Sequence, residues 1–212
     1  MRTLSMLDKF CSAADNALRT LHGSYQTTQR DNPASNLPEP ELSPEEKNHA
    51  SGLMRINHCG EICAQALYQG QALTARLPDV RDQMEQAAKE ENDHLAWCDQ
   101  RLKQLSTHTS LLNPIWYVGS FSLGALAGLA GDKWSLGFVA ETERQVVKHL
   151  DEHLANLPEH DDSSRAILQQ MRQDELHHAQ AAEAAGGAEL PGAVQSMMKA
   201  MAKLMKTIVY RI

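Results

Sequence analysis

The sequence predicts an all-α fold: a four-helix bundle with one long hydrophobic crossover and an extra helix at each end. Three observations carry this. Helix-forming residues dominate the 212-residue chain, and no stretch alternates polar and apolar residues as a strand would. Four segments repeat apolar residues at the three-and-four spacing of a buried helix stripe. Each of those stripes also carries a glutamate in its seam. The length suits one well-cored domain with an appendage. Residues 1–44 read as an N-terminal helix and Pro-rich linker, and residues 45–212 as the bundle domain.

In chain order, Leu4 to His22 reads as a short amphipathic helix with Leu4, Leu7, Cys11, Leu18 and Leu21 on one face, stopped by Gly23. Residues 24–43 hold Pro33, Pro38 and Pro40 among polar residues and read as a linker whose order the sequence leaves open. Ser43-Pro44-Glu45-Glu46 is a helix start: a serine cap, proline at the first position and acids in the first turn. Bundle helices are expected at about 45–76, 79–106, 133–157 and 162–185, with Pro78 and Pro158 separating the members of each half. Gly186-Gly187 stops the fourth, and an amphipathic helix over 190–210 follows, with a stripe of Leu190, Val194, Met197, Met201, Leu204 and Ile208.

The crossover, 107–132, has no charged residue from Thr109 to Gly131. A bundle whose middle two helices run parallel needs one such long connection, which is the ferritin-like arrangement. By length the segment could span a bilayer, but spanning would put the two halves of the bundle on opposite sides. It therefore reads as a surface dipping into one leaflet, with Trp116 and Tyr117 at the headgroup level. The last helix, with Lys199, Lys203 and Lys206 largely to one side, reads as a fifth helix packed on the bundle and, compatibly, as a Met-rich wall for a long apolar ligand with its cations facing anionic lipid.

The seams carry the chemistry. They run Leu53 or Met54, Asn57, Glu61, Ala64, Tyr68; then Val80, Met84, Ala87, Glu91, His94, Cys98, Leu102; then Leu136, Val139, Glu143, Val146, Leu150, Leu154; and Leu168, Met171, Glu175, His178, Ala182. Two Glu-x-x-His pairs, Glu91/His94 and Glu175/His178, each follow a lone glutamate, Glu61 and Glu143. An i, i+3 spacing puts both side chains of a pair on one helix face, about 60° apart. Isolated buried carboxylates protonate or find partners, and the seams as drawn contain no Lys or Arg. Two divalent ions would cancel four carboxylates, with two neutral imidazoles completing the set. That donor mixture suits iron or manganese better than zinc. The two Glu…Glu-x-x-His halves read as a diverged internal repeat around a pseudo-twofold site.

The formal charge of −7 argues against nucleic-acid binding. It is unevenly spread: residues 194–212 carry +4 and the rest −11. Cys11, Cys59, Cys63 and Cys98 show no Cys-x-x-Cys spacing and no signal peptide precedes them, so a reducing cytoplasmic setting is expected. His58 with Cys59 and Cys63 could hold zinc, although small cysteines filling a bundle core are commoner.

Arg55-Ile56-Asn57-His58-Cys59-Gly60-Glu61, Tyr68-Gln69-Gly70-Gln71, Glu91-Asn92-Asp93-His94, Glu141-Thr142-Glu143-Arg144 with His149, and Asp174-Glu175-Leu176-His177-His178 together resemble the bacterial demethoxyubiquinone hydroxylases of ubiquinone biosynthesis. The resemblance covers roughly residues 45–212, and the N-terminal helix and linker look like the extension of bacterial members. It implies a non-haem di-iron monooxygenase that hydroxylates the ring of a polyprenylated demethoxyquinol with O2 and an external reductant such as NADH. Carried over, Glu61, Glu91 and His94 hold one iron, Glu143, Glu175 and His178 the other, and Glu91 and Glu175 bridge. His149 matches a family histidine near the site, expected to deliver protons or electrons and set off the seam rather than ligating metal. Cys59 stands where alanine is usual. The resemblance also implies a peripheral membrane protein on the cytoplasmic face of the bacterial cell membrane, meeting its quinol there as a homo-oligomer or beside other ubiquinone-biosynthesis proteins. The uncharged crossover beside the basic last helix is where the substrate entrance is expected.

Iron storage or detoxification on the same fold is the main rival expectation. It fits poorly with a hydrophobic crossover and a basic end. A rubrerythrin-like peroxidase lacks its paired Cys-x-x-Cys site here, and a membrane-docked scaffold without chemistry would leave the glutamates solvated.

Overall fold

A computed structural model describes residues 6–212, which form seven helices and, among the described residues, no strand. These are α1 (Met6–His22), α2 (Pro44–Thr74), α3 (Pro78–Gln104), α4 (Asn113–Ala130), α5 (Asp132–Asn156), α6 (Asp162–Ala184) and α7 (Gly192–Val209). The bundle is α2, α3, α5 and α6. Its first helix starts at the expected capping box: Ser43 Oγ accepts from the Glu46 amide, and the Glu46 carboxylate accepts from the Ser43 amide at 2.9 Å. Asp132, at the start of α5, accepts from the amides of Arg76 and Leu77 at 3.0 and 2.8 Å and so closes the α2–α3 turn.

Two apolar clusters fill the bundle, one on each side of the seam glutamates. Leu53, Met54, Cys98, Leu102, Leu150, Ile167, Leu168 and Met171 belong to the first; Ala64, Tyr68, Val80, Met84, Leu136, Val139 and Ala182 belong to the second. Along α2 and α6 the chain passes first cluster, glutamate, second cluster. Along α3 and α5 the order is reversed. The middle helices α3 and α5 therefore run parallel, as the long connection requires.

That connection is itself the helix α4, lying along α2. Gly70, Gly124 and Gly128 permit the approach: a Cβ on Gly124 would collide with the Leu67 carbonyl, and one on Gly70 with the Phe121 carbonyl. Wrapped by α3, α4 and α7, helix α2 is buried on several faces from Ala50 to Gln71, which explains why its seam is the least apolar of the four. Among the described residues, no helix is long and apolar enough to cross a membrane.

Several sequence expectations need correction. Leu4 lies outside the described residues; on α1, Cys11 and Leu18 face outward, while Ala17 and Leu21 pack toward Ile62, Ala66 and Leu95. Tyr117 is buried, its hydroxyl on Gln69 Oε1 at 2.5 Å, and Trp116 packs against Ile56, Cys59, Met205 and Val209. Neither ring is free for a headgroup; the outward residues of this segment are Leu111, Ile115, Val118, Leu126 and Leu129. On α7 the inward residues are Met205 and Val209, and Met197, Met201 and Leu204 of the expected inner stripe are exposed. Apolar residues lie on both sides of that helix, so periodicity alone selects the wrong face.

The segment 24–43, whose order the sequence leaves open, is tied to α2 and along α3 by polar contacts. Tyr25 bonds His58 at 3.0 Å, Thr28 and Arg30 bond Asp93, Asn32 bonds Gln100, and Glu39 pairs with Arg101. Arg101 is itself fully buried between seam residues of α3, pairing with Asp161 at 2.9 Å and Ser164 at 2.9 Å. It serves the end of the bundle, away from the four glutamates.

Candidate metal centre

All six residues of the double motif are buried: Glu61, Glu91, Glu143 and Glu175 at 0–3% exposure, His94 at 0% and His178 at 8%. Helix spacing aims them inward because each sits in the seam one turn from a core apolar residue. Glu61, Glu91, His94 and Glu175 offer ligand atoms that all lie within 4.8 Å of one another. His178 joins them through Glu175 Oε2 at 3.0 Å and Glu91 Oε1 at 3.4 Å. Glu91 and Glu175 each reach both imidazoles, His94 Nδ1 lying 3.1 Å from Glu91 Oε2 and 3.0 Å from Glu175 Oε1. Two carboxylates spanning two imidazole nitrogens is the arrangement a bridging pair needs.

Glu143 lies outside that four-residue group, near enough to feel the Glu175 and Glu91 charges, and accepts the Tyr68 hydroxyl at 2.5 Å. The repeat is broken at this point. Tyr68 follows Glu61 on α2 at the interval at which Leu150 follows Glu143 on α5. One half thus carries a phenol where the other carries a buried aliphatic side chain.

The electrostatics describe a pocket short of positive charge. Burial, then the Glu91 and Glu175 charges, push Glu61 well above the usual carboxylate range. Burial, then Glu175 and Glu91, do the same to Glu143. For His94, burial opposes the charged form but is outweighed by bonds to Asp174, Glu175, Glu61 and Glu91, so its basicity rises. His178 rises for the same reason, through Glu175, Glu90 and Glu91. Glu143 Oε2 is buried with no hydrogen-bond partner, and Glu91 Oε1 and Glu175 Oε1 meet only imidazole nitrogens, at 3.4 and 3.0 Å and outside hydrogen-bond geometry. Orphaned anionic oxygens inside a core are costly unless a cation answers them. Four carboxylates and two imidazoles fit two oxygen-preferring transition ions.

Two residues absent from the sequence-based site hold the histidines from behind. His94 Nε2 lies 2.9 Å from Asp174 Oδ2, and His178 Nε2 lies 2.7 Å from Glu90 Oε2. A carboxylate on the outer nitrogen sets the tautomer and turns the inner nitrogen to the centre. A signal existed: each Glu-x-x-His is preceded directly by an acid, Glu90 or Asp174. The contact runs across helices, from α6 to α3 and back, so one helix at a time shows only a solvated acid.

His149 is buried on α5 beside His153, ring centroids 5.2 Å apart, and His153 Nδ1 meets Asn57 Oδ1 at 3.0 Å. Burial, then His153 and Lys206, hold its pKa well below the ordinary imidazole range. Among the described residues no ion pair joins His149 to the six. His58, Cys59 and Cys63 form no three-residue metal group there either, and His58 is engaged by Tyr25.

The larger cavity, about 420 Å³, opens between α1, α2 and α3 and reaches Tyr68. A second, about 320 Å³, lies under α7 against Ile56 and His153.

The family model for the ubiquinone biosynthesis protein COQ7 matches residues 48–209. The chain is 58% identical over 210 residues to 3-demethoxyubiquinol 3-hydroxylase of Acinetobacter baumannii strain ATCC 17978, covering 99% of each. It is 56% identical over 209 residues to the protein of that name from Nitrosococcus oceani, covering 99% of this chain and 98% of that one. To that of Legionella pneumophila strain Corby it is 59% identical over 213 residues, covering 100% of both.

Proposed function

The chain belongs to the COQ7 family of ubiquinone biosynthesis proteins, and from that premise we propose that it is a di-iron 3-demethoxyubiquinol 3-hydroxylase. It inserts one atom of O2 as a ring hydroxyl into a polyprenylated demethoxyquinol, the other leaving as water with two electrons and two protons from an external donor such as NADH. The observation that carries this reading is the pair of buried carboxylates, Glu91 and Glu175, each facing both inward imidazole nitrogens. Relatives that are named hydroxylases favour it over iron storage.

Glu61, Glu91 and His94 would hold one iron and Glu143, Glu175 and His178 the other. Bound there, the pair supplies the reduction of O2. The rest falls to the chain. The two apolar clusters exclude water above and below the carboxylate layer. Asp174 and Glu90 fix the imidazoles. Tyr68, whose hydroxyl is already committed to Glu143, walls the cavity between α1, α2 and α3, which is where we place the quinol ring. His149, behind the seam with His153 and Asn57, we assign to proton or electron delivery. Oxygen uptake tests the reading: with a short-tailed demethoxyquinol and reductant, hydroxylated product should match the oxygen consumed. Oxygen use that needs only ferrous iron and ignores the quinol would return the protein to storage.

The substrate's isoprenoid tail resides in a bilayer, so we place the protein on the cytoplasmic face of the bacterial membrane. Exposed Leu111, Ile115, Val118, Leu126 and Leu129, with Met197, Met201 and Leu204 and the nearby Lys199 and Lys203, form an apolar surface beside a basic one. Replacing Ile115, Val118 and Leu126 with glutamate should abolish binding to anionic vesicles at unchanged iron content; undiminished vesicle binding would rule this surface out.

A further inference from the structure

We propose that Arg30 is a positioning residue for the metal half centred on His94, so that the strap formed by residues 24–43 adds a restraint to that half. The proposal rests on the six-residue metal reading above. The match between the halves extends behind the ligands. Gln86, Glu90, Glu91 and His94 on α3 correspond in spacing to Gln170, Asp174, Glu175 and His178 on α6. Each glutamine donates to the acid behind the opposite histidine, Gln86 to Glu90 at 2.9 Å and Gln170 to Asp174 at 3.0 Å.

Only one of the two acids also meets a cation. Arg30 Nη1 donates to Asp174 Oδ2 at 2.9 Å, the same oxygen that faces His94 Nε2, while Arg30 Nε donates to Asp93 Oδ2 at 2.8 Å. Glu90 has no Lys or Arg within ion-pair distance among the described residues, and more of its side chain is exposed, 31% against 16% for Asp174.

The anchor explains why only one half has a clamp. Asp93 is fully buried and accepts from the Thr28 amide at 2.8 Å, the Thr28 hydroxyl at 2.5 Å and Arg30. Its counterpart on α6 is His177, exposed and lacking the two acceptor oxygens of a carboxylate. Between the two strap residues Gln29 takes a φ of 66°, a conformation costly to a residue with a Cβ and held here by bonds on either side. Arg30 also covers the Trp97 ring at 5.0 Å, and Trp97 meets the His94 ring at 5.4 Å. The guanidinium therefore restrains His94 twice, through Asp174 and through the indole. A ligand whose orientation is set beforehand binds its ion more tightly, so the His94 half should fill first.

Cobalt(II) titration into chelator-treated full-length protein, against a competing chelator and followed by visible absorption, tests this. The wild type should fill in two resolved steps. Arg30→Ala should weaken the tighter step by about 10–100-fold, the usual effect of losing the group behind a ligand, and merge it with the second. Arg30→Lys should recover part, since an ammonium keeps the charge without the planar fork. Glu39→Ala, which loosens the strap at Arg101 instead, should leave both steps in place. Unchanged steps in Arg30→Ala, a single step in the wild type, or an equal loss in Glu39→Ala would each overturn the role of Arg30. A wild type that takes up no cobalt would instead sink the metal reading beneath it.

Discussion

Glu91→Ala and Glu175→Ala should each reduce bound iron from about two per chain, the complement of a di-iron bundle, to near none, and quinol-dependent oxygen uptake with it. Each carboxylate faces both imidazoles, so its loss removes a ligand from both ions at once. Removing Glu61 or Glu143, each at one side, should be milder and leave one ion. Helicity should survive every one of these changes, because alanine favours helix and a buried charge is being removed. Iron analysis beside far-ultraviolet circular dichroism separates the outcomes: iron retained in Glu91→Ala would end the di-iron assignment, and a collapsed helix signal would make that glutamate a structural residue.

Arg101→Ala should be the most destabilising single change outside the centre, by about 3–5 kcal/mol, the range for breaking a buried pair by removing one partner. Its guanidinium is fully buried on α3 and pairs with Asp161, also fully buried, which in turn caps α6 by accepting from the Ser164 amide at 3.0 Å. Truncation would leave the Asp161 carboxylate without its counter-charge. The double variant Arg101→Met with Asp161→Asn removes both charges and keeps a capping side chain, so it should regain most of the loss. Denaturant midpoints measure both. A loss under about 1 kcal/mol in Arg101→Ala would place the pair with exposed, screened ion pairs instead.

Much of the site is legible in the sequence because helices impose a fixed register. Glu61, Glu91, His94, Glu143, Glu175 and His178 are found by spacing within single helices, and burial of all six follows from their place in apolar stripes. Helix limits are legible for a related reason: Ser43, Pro44, Pro78 and Gly186 act on their own backbone neighbours. The outward faces of α4 and α7 are less so. Both helices are apolar most of the way round, and periodicity does not say which apolar row meets the bundle. Tyr117 and Met205 turn inward while Val118 and Leu204 turn out. The strap fails for the opposite reason. Its polar, Pro-containing composition is that of a solvated linker, and its order comes from Asp93, Gln100 and Arg101, partners about 60 to 70 residues away.

By itself, the sequence determined the helical class, the four glutamate-bearing seams and the parallel middle helices, since each depends on local spacing or on the length of one connection. Only the tertiary structure decided which carboxylate stands behind which histidine, that Arg30 pairs with Asp174 and not with Glu90, and that the crossover is a helix lying flush on α2. Those depend on distances between helices. No pattern along a single helix records them, because the partners meet only after the apolar clusters have brought the helices together.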